Sequence, residues 1–200
     1  MPKIVDHDER RLELVEATWR IIARNGLESA TMREIALEAG FANGALKPYF
    51  PTKDTLLEFA FQHVFNRTNT RITAALHGKT GLAALRAFCL EVLPLDDERV
   101  NEARIVVPFW QRAITDRQKA EIHQRSMAEW LDLMRRSLAE AEDAGAIRQG
   151  LDHHLVASQL LNLLLGAQIA AALPESSTFM APFEDQLEGF LALLHIPALP

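Results

Sequence analysis

The sequence has a single cysteine, a single tyrosine, little glycine or proline, and no excess of positive charge. Cys89, being alone, cannot close an intramolecular disulfide. No CxxC, GxSxG, HExxH or phosphate-cradling glycine loop occurs, so the common enzyme signatures are missing. His153 and His154 are adjacent and would point about 100° apart on a helix, a poor arrangement for metal ligands. No catalytic residue, metal site or cofactor is therefore expected. No apolar run reaches the roughly 18 residues of a membrane span. The longest uncharged stretch, 155–174, contains Ser158, Gln159, Asn162 and Gln168, and reads as the buried helix of a soluble domain. The N-terminal MPKIVDHDERR has acidic residues and no apolar segment, unlike a signal peptide. Cytoplasm, away from any membrane, is the expected compartment. Period-two alternation is also missing, which argues against half-exposed strands.

The net charge of −6 taken alone argues against a nucleic-acid partner. Its distribution removes that objection. Residues 1–53 hold eight Lys/Arg and eight Asp/Glu, whereas the remaining 147 hold thirteen and nineteen. The acidity lies away from the N-terminal end.

What is present is helical periodicity, with a hydrophobic fraction of 48%, ample for a sizeable core. Leu12, Val15, Trp19 and Ile22 mark a first helix over 8–25, stopped by Asn25-Gly26. Arg10 and Arg11 sit in its first turn, where the helix dipole disfavours cations; solvated charge and a nearby phosphate both fit. From Thr52, a natural N-cap, a helix runs to about His77; some 24 residues give about 36 Å. Gly78, Gly81, Pro94, Gly145 and Pro174 punctuate the C-terminal remainder of the chain. They leave helices near 81–93, 99–114, 116–144, 152–173 and 182–195, and Pro108 predicts a kink in the second of these.

Between the first helix and the long one lies TMREIALEAGFANGALKPYFPTK, residues 31–53. Thr31 and Glu34 form a capping box. Ile35, Ala36 and Ala39 share a face, and Gly40 stands where a helix ends in a left-handed residue. A short second helix is expected from near Asn43, carrying Leu46 inward. Two helices joined by a tight glycine-containing turn make the helix-turn-helix unit, whose second helix reads the DNA major groove.

The pattern Gly26, Thr31, Ile35-Ala36, Ala39-Gly40, Gly44, Leu46, Tyr49-Phe50, Lys53 and Leu56 resembles the N-terminal signature of TetR-family transcriptional regulators. The segment VVPFWQRAITDRQKAEIHQRSMAEWLDLMRRSLAEAEDAGAIRQGLD also resembles, more loosely, the C-terminal domain of the choline-responsive BetI-like branch. The resemblance implies an all-α fold of about nine helices. A three-helix DNA-binding domain would span 1–51 and a helical ligand-binding and dimerisation domain 52–200. It implies a homodimer on palindromic double-stranded operator DNA, a repressor released by a small-molecule inducer. The alternative is a helical ligand-sensing or partner-binding protein whose DNA head has degenerated.

Departures from the family pattern bear on DNA reading. Ala42, Ala45 and Lys47 stand where relatives often carry Ser, Thr and Tyr. Pro48 restricts Lys47 away from helical geometry and deletes the N–H that would bond to the Gly44 carbonyl, so the recognition helix is expected to be short. The candidate DNA-binding residues are Thr31, Arg33, Asn43, Gly44, Lys47, Tyr49 and Lys53. Arg33 suits a phosphate or groove edge. Asn43 reads adenine or caps the helix. Gly44 allows close backbone approach, and Lys47, Tyr49 and Lys53 suit phosphates.

For the ligand, Pro108-Phe109-Trp110 is the first pocket candidate, with Phe88 and Trp130 as further aromatic lining. His63 and Asn162 are polar residues in apolar helical settings. Each either orients a ligand or serves structure, as a paired core histidine or a dimer-interface asparagine. The BetI-like resemblance implies a quaternary ammonium ligand; a lipophilic or planar aromatic one fits the composition equally well. Leu160, Leu163, Leu164, Ala167, Phe183, Leu187 and Phe190, on the last two helices, are expected to form the dimer contact.

Overall fold

The computed structural model describes residues 7–25, 31–42, 44, 46–173 and 182–195. Among these are eight α-helices and no strand. They are α1 (His7–Asn25), α2 (Met32–Glu38), α3 (Lys53–Ala75), α4 (Gly81–Val92), α5 (Asp97–Ala113), α6 (Arg117–Asp143), α7 (His153–Ala172) and α8 (Phe183–Leu193).

Local chemistry sets the helix starts. The Thr31 hydroxyl accepts the Glu34 N–H, and the Glu34 carboxylate accepts the Thr31 N–H, closing the expected capping box. Thr52 and Thr55 make the same exchange at the start of α3. Asp96, Asp116 and Asp152 each accept a backbone N–H at the starts of α5, α6 and α7. α5 continues past Pro108 to Ala113.

Eight helices are described where about nine were expected; the second helix of the helix-turn-helix is not among them, and Asn43 and Ala45 of that segment lie outside the described residues. Gly44 has φ 90°, Lys47 N–H reaches back to the Gly44 carbonyl at 3.4 Å, and Tyr49 N–H bonds to Leu46 at 2.9 Å. These i to i−3 bonds make turns over 46–49 rather than an α-helix. Pro48 has no N–H to donate and Gly44 is in the left-handed region, so among the described residues of this segment a single α-type bond is found, from Phe50 N–H to the Leu46 carbonyl at 2.8 Å. Leu46 is nonetheless buried, as expected.

Two apolar clusters meet along α3. The first joins Leu14, Val15 and Ile22 of α1, Ile35 of α2, Leu46, Phe50, and Leu56 through Val64 of α3. Ile105, Val106 and Phe109 of α5 also belong to it, so the core of the N-terminal unit extends beyond residue 51. The second cluster takes Phe65 and Ile72 of α3 with α4, α6, α7 and α8. Cys89 is fully buried there, and burial pushes its thiol pKa up, which leaves it unreactive. α7 has the length and composition of a membrane-crossing helix. It packs on α5 and α6, with Val156, Ala157, Leu160, Leu161 and Leu164 buried, as the core helix of a folded domain does.

Candidate functional site

The described candidate DNA-binding residues lie on α2 and its N-cap, at Gly44, in the 46–49 turns and at the start of α3. Arg33 is exposed on α2, Lys47 is exposed in the turns, and Lys53 opens α3. Lys53 lies close enough to Glu34 for its charge to help hold that carboxyl below its ordinary value, after the hydrogen bonds from Thr31. Tyr49 is half-buried, edge-on to Phe41 at 6.1 Å. Gly44 is exposed and a Cβ there would meet nothing within 4 Å, so its glycine is required by φ 90° rather than by space. The hydroxyl of Thr31 both accepts from and donates to Glu34, which commits it to the cap. Asn43 lies outside the described residues. Arg10 pairs with Glu13 and sits over Phe41 at 5.4 Å, while Arg11 sits near Phe50 and Phe59. Both arginines brace the surface of the head.

Farther along α3 lies a small cavity of about 30 Å³, walled by Phe61, Phe65, Trp110, Trp130 and Met127. Its polar wall is Thr68, Glu102 and Gln168, all buried. Glu102 is held by Arg71 of α3 through two bonds, of 2.9 and 2.8 Å. Arg71 also reaches Thr68 at 3.3 Å and lies 3.5 Å from Glu91 of α4. Donating to the Glu102 carboxylate raises the Arg71 pKa further, so this guanidinium stays charged. Gln168 of α7 donates to the Val92 carbonyl at 2.5 Å. Trp130 donates to Asn69 at 2.8 Å, which anchors its ring.

Of the sequence-chosen ligand residues, Trp110 and Trp130 line the cavity. Phe109 and Phe88 stand one layer behind it: Phe109 stacks on Phe61 at 4.0 Å and Phe88 meets Trp130 edge-on at 5.6 Å. The other two are elsewhere. His63 faces Trp19 of α1 at 5.8 Å, and Asn162 is exposed on α7. Periodicity marks a polar residue in an apolar helix but not which neighbour it meets. Glu102 escapes sequence reasoning because its partner Arg71 lies 31 residues earlier, and nothing local signals a buried carboxylate.

An N-terminal unit of α1, α2 and the 46–49 turns, joined along α3 to a cavity-bearing helical body, has the architecture of a ligand-responsive transcriptional regulator. The comparisons agree with that class. The family described as "Bacterial regulatory proteins, tetR family" matches residues 14–60, and "BetI-type transcriptional repressor, C-terminal" matches residues 82–194. The HTH-type transcriptional regulator PksA of Bacillus subtilis (strain 168) is 33% identical over 174 residues, covering 86% of this chain and 83% of that protein. A transcriptional regulator from Rhodococcus sp. Rha1 has a similar solved structure, with TM-score 0.78, 27% identity, and coverage of 92% of this chain and 95% of that one. A regulator from Saccharomonospora viridis, solved in complex with choline, shares the fold at TM-score 0.83 and 21% identity, with 92% and 96% covered. The chain belongs to the TetR family of bacterial transcriptional regulators, with a BetI-type C-terminal domain. Its role is regulatory rather than enzymatic, and regulators of this family bind operator DNA and small-molecule ligands.

Proposed function

We propose that the protein is a cytoplasmic homodimeric repressor that binds a palindromic operator and is released by a largely apolar small-molecule inducer. The observation that carries this reading is the position of α3. Its first half belongs to the core of the DNA head, and its second half carries Phe65 and Thr68 to the cavity and Arg71 to Glu102 in the cavity wall. A ligand that prefers one setting of Arg71 and Glu102 therefore biases the angle of the head. Only such differential affinity shifts the population.

Arg33, Lys47, Tyr49 and Lys53 supply phosphate contacts in this reading, and the exposed backbone at Gly44 approaches the groove. Thr31 contributes by fixing α2. The choline bound by the Saccharomonospora viridis regulator is one model for the inducer. The cavity here favours an uncharged molecule, because its only carboxylate among the described residues, Glu102, is already neutralised by Arg71.

For the dimer, Leu155, Gln159, Asn162 and Gly166 lie exposed along one stripe of α7, at alternating four- and three-residue steps that keep them on one face. Asn162 takes its interface role in this arrangement. Leu160, Leu164 and Leu187 are buried within the chain's own core and leave the seam to the stripe.

Selection of bound duplexes from random DNA tests the proposal. An enriched palindrome of two half-sites supports it. Recovery of unrelated sequences with no shared motif points instead to a degenerate head on a partner-binding protein.

A further inference from the structure

The cavity beside Glu102 has the volume of about one water molecule, far below the roughly 300–1,000 Å³ of a small-molecule site. Immediately outside it, between α5, α6 and α7, lies an open apolar groove of about 420 Å³. The groove is bounded by Val107, Ile114, His123 and Ile169, and Ile114 is 83% exposed. Trp110 is the residue common to both spaces. One indole is thus the partition between a space too small for a ligand and one large enough.

Two further observations concern the same wall. The Trp110 Nε1–H is buried and has no hydrogen-bond partner among the described residues, and the same is true of His123 Nδ1. The two rings are neighbours, with centroids 5.7 Å apart. Trp130, the other cavity indole, has its N–H satisfied by Asn69. A buried donor left unmade is unfavourable, and a guest that supplies an acceptor relieves it. Pro108, two residues before Trp110, leaves the Arg104 carbonyl without its usual i+4 donor inside α5.

From these we infer that Trp110 is a door: the inducer enters through the groove at His123, turns the indole aside, and joins groove and cavity into one chamber. The guest is a neutral, mainly apolar molecule of one or two rings that carries a carbonyl-type acceptor for Trp110 Nε1–H. This deepens the proposed ligand response and rests on it. A polar cleft also adjoins the cavity, on the other side of Phe65, with Asn66, Arg125 and Glu129 in its walls. It is the competing route, suited to a polar guest.

The test uses the full chain and two fluorescent probes, the ketone 6-propionyl-2-(dimethylamino)naphthalene and the same dimethylaminonaphthalene without its carbonyl. Saturable, blue-shifted binding of the ketone at one per chain is expected. Trp110→Phe keeps a ring in the doorway and deletes the donor. It should weaken the ketone roughly 5- to 30-fold and leave the carbonyl-free probe unchanged. Trp110→Ala should speed association of both probes several-fold in stopped flow, whereas Phe65→Ala should not. Circular dichroism of each variant separates misfolding from these effects. The door is overturned if neither probe binds the native chain, if Trp110→Phe affects both probes alike, or if Phe65→Ala alone accelerates binding. Operator selection does not depend on these readouts, so a failed door leaves the DNA-binding reading standing, and a failed selection leaves the door measurable.

Discussion

Arg71 of α3 grips Glu102 of α5 with both terminal nitrogens, at 2.9 and 2.8 Å, and among the described residues Glu102 is also the one carboxylate in the cavity wall. The pair joins the helix that enters the DNA head to the helix that carries Trp110. Its Glu102 side chain is 5% exposed and its Arg71 side chain 25%. Removal of the cation therefore leaves a buried charge with little water to solvate it.

Arg71→Ala should destabilise the chain by about 2–4 kcal/mol, somewhat less than the loss of a fully buried partner. Replacing both members, with Arg71→Met and Glu102→Leu, should recover much of that loss, since the pair is then exchanged for apolar contact. Urea denaturation of the two variants measures the difference. Equal instability of single and double variants would show that the pair acts through packing alone.

Lys47→Ala is expected to weaken binding to specific and non-specific DNA alike, and to reduce the slope of log K against log salt by about one, as loss of a single phosphate contact does. Titration of an operator fragment across a salt series measures it. An unchanged slope removes Lys47 from the phosphate contacts.

Gly44→Ala places a Cβ at φ 90°, where an alanine is strained even though no neighbour obstructs it. About 1 kcal/mol of local cost is expected. Because the turn lies in the DNA head, operator affinity should fall while probe binding in the body is retained. Parallel loss of both would place the effect on the whole fold.

Gly166→Glu tests the α7 seam. A side chain there meets nothing within 4 Å of its Cβ in the chain itself. The folded protomer should survive, and light scattering at micromolar concentration should report monomer in place of the dimer. A variant that remains dimeric moves the interface elsewhere.

His63 and His123 are both held below the ordinary histidine pKa, by burial first and, at His63, by the Arg67 charge second. The unfolded chain therefore binds more protons than the folded one below about pH 6.5. The neutral rings contribute their stability fully above that pH, and it is lost as pH falls from the unfolded value toward the folded ones. The urea midpoint should drop between about pH 7 and pH 5.5. The double variant His63→Gln, His123→Gln should show a flatter profile. A native midpoint that rises on acidification over that range would contradict the assignment.

The sequence by itself determined the helices, their starts and the character of the two ends. Capping at Thr31, Thr52, Asp96, Asp116 and Asp152 is local chemistry, decided within three residues, so it was legible in the chain. The apolar spacing of α1 reported its buried face only in part: Val15 and Ile22 are buried as expected, whereas Leu12 is exposed and Leu14 and Ile21 complete the face. Pro48 also announced that the recognition segment would be short, and the structure carries this further to turns, because Gly44 adopts the left-handed region. Tertiary structure alone decided where chemistry happens. Phe88 and Phe109 look like lining and are backing, because an aromatic at helical spacing faces whichever neighbour the packing brings. His63 was drawn to Trp19 and Asn162 to the surface for the same reason. Glu102 acquired its role from Arg71, a partner on another helix, and Trp110 acquired its role from the two spaces it separates. Periodicity fixes a face of one helix; a site arises where faces from several helices meet, and that depends on the packing of the whole chain.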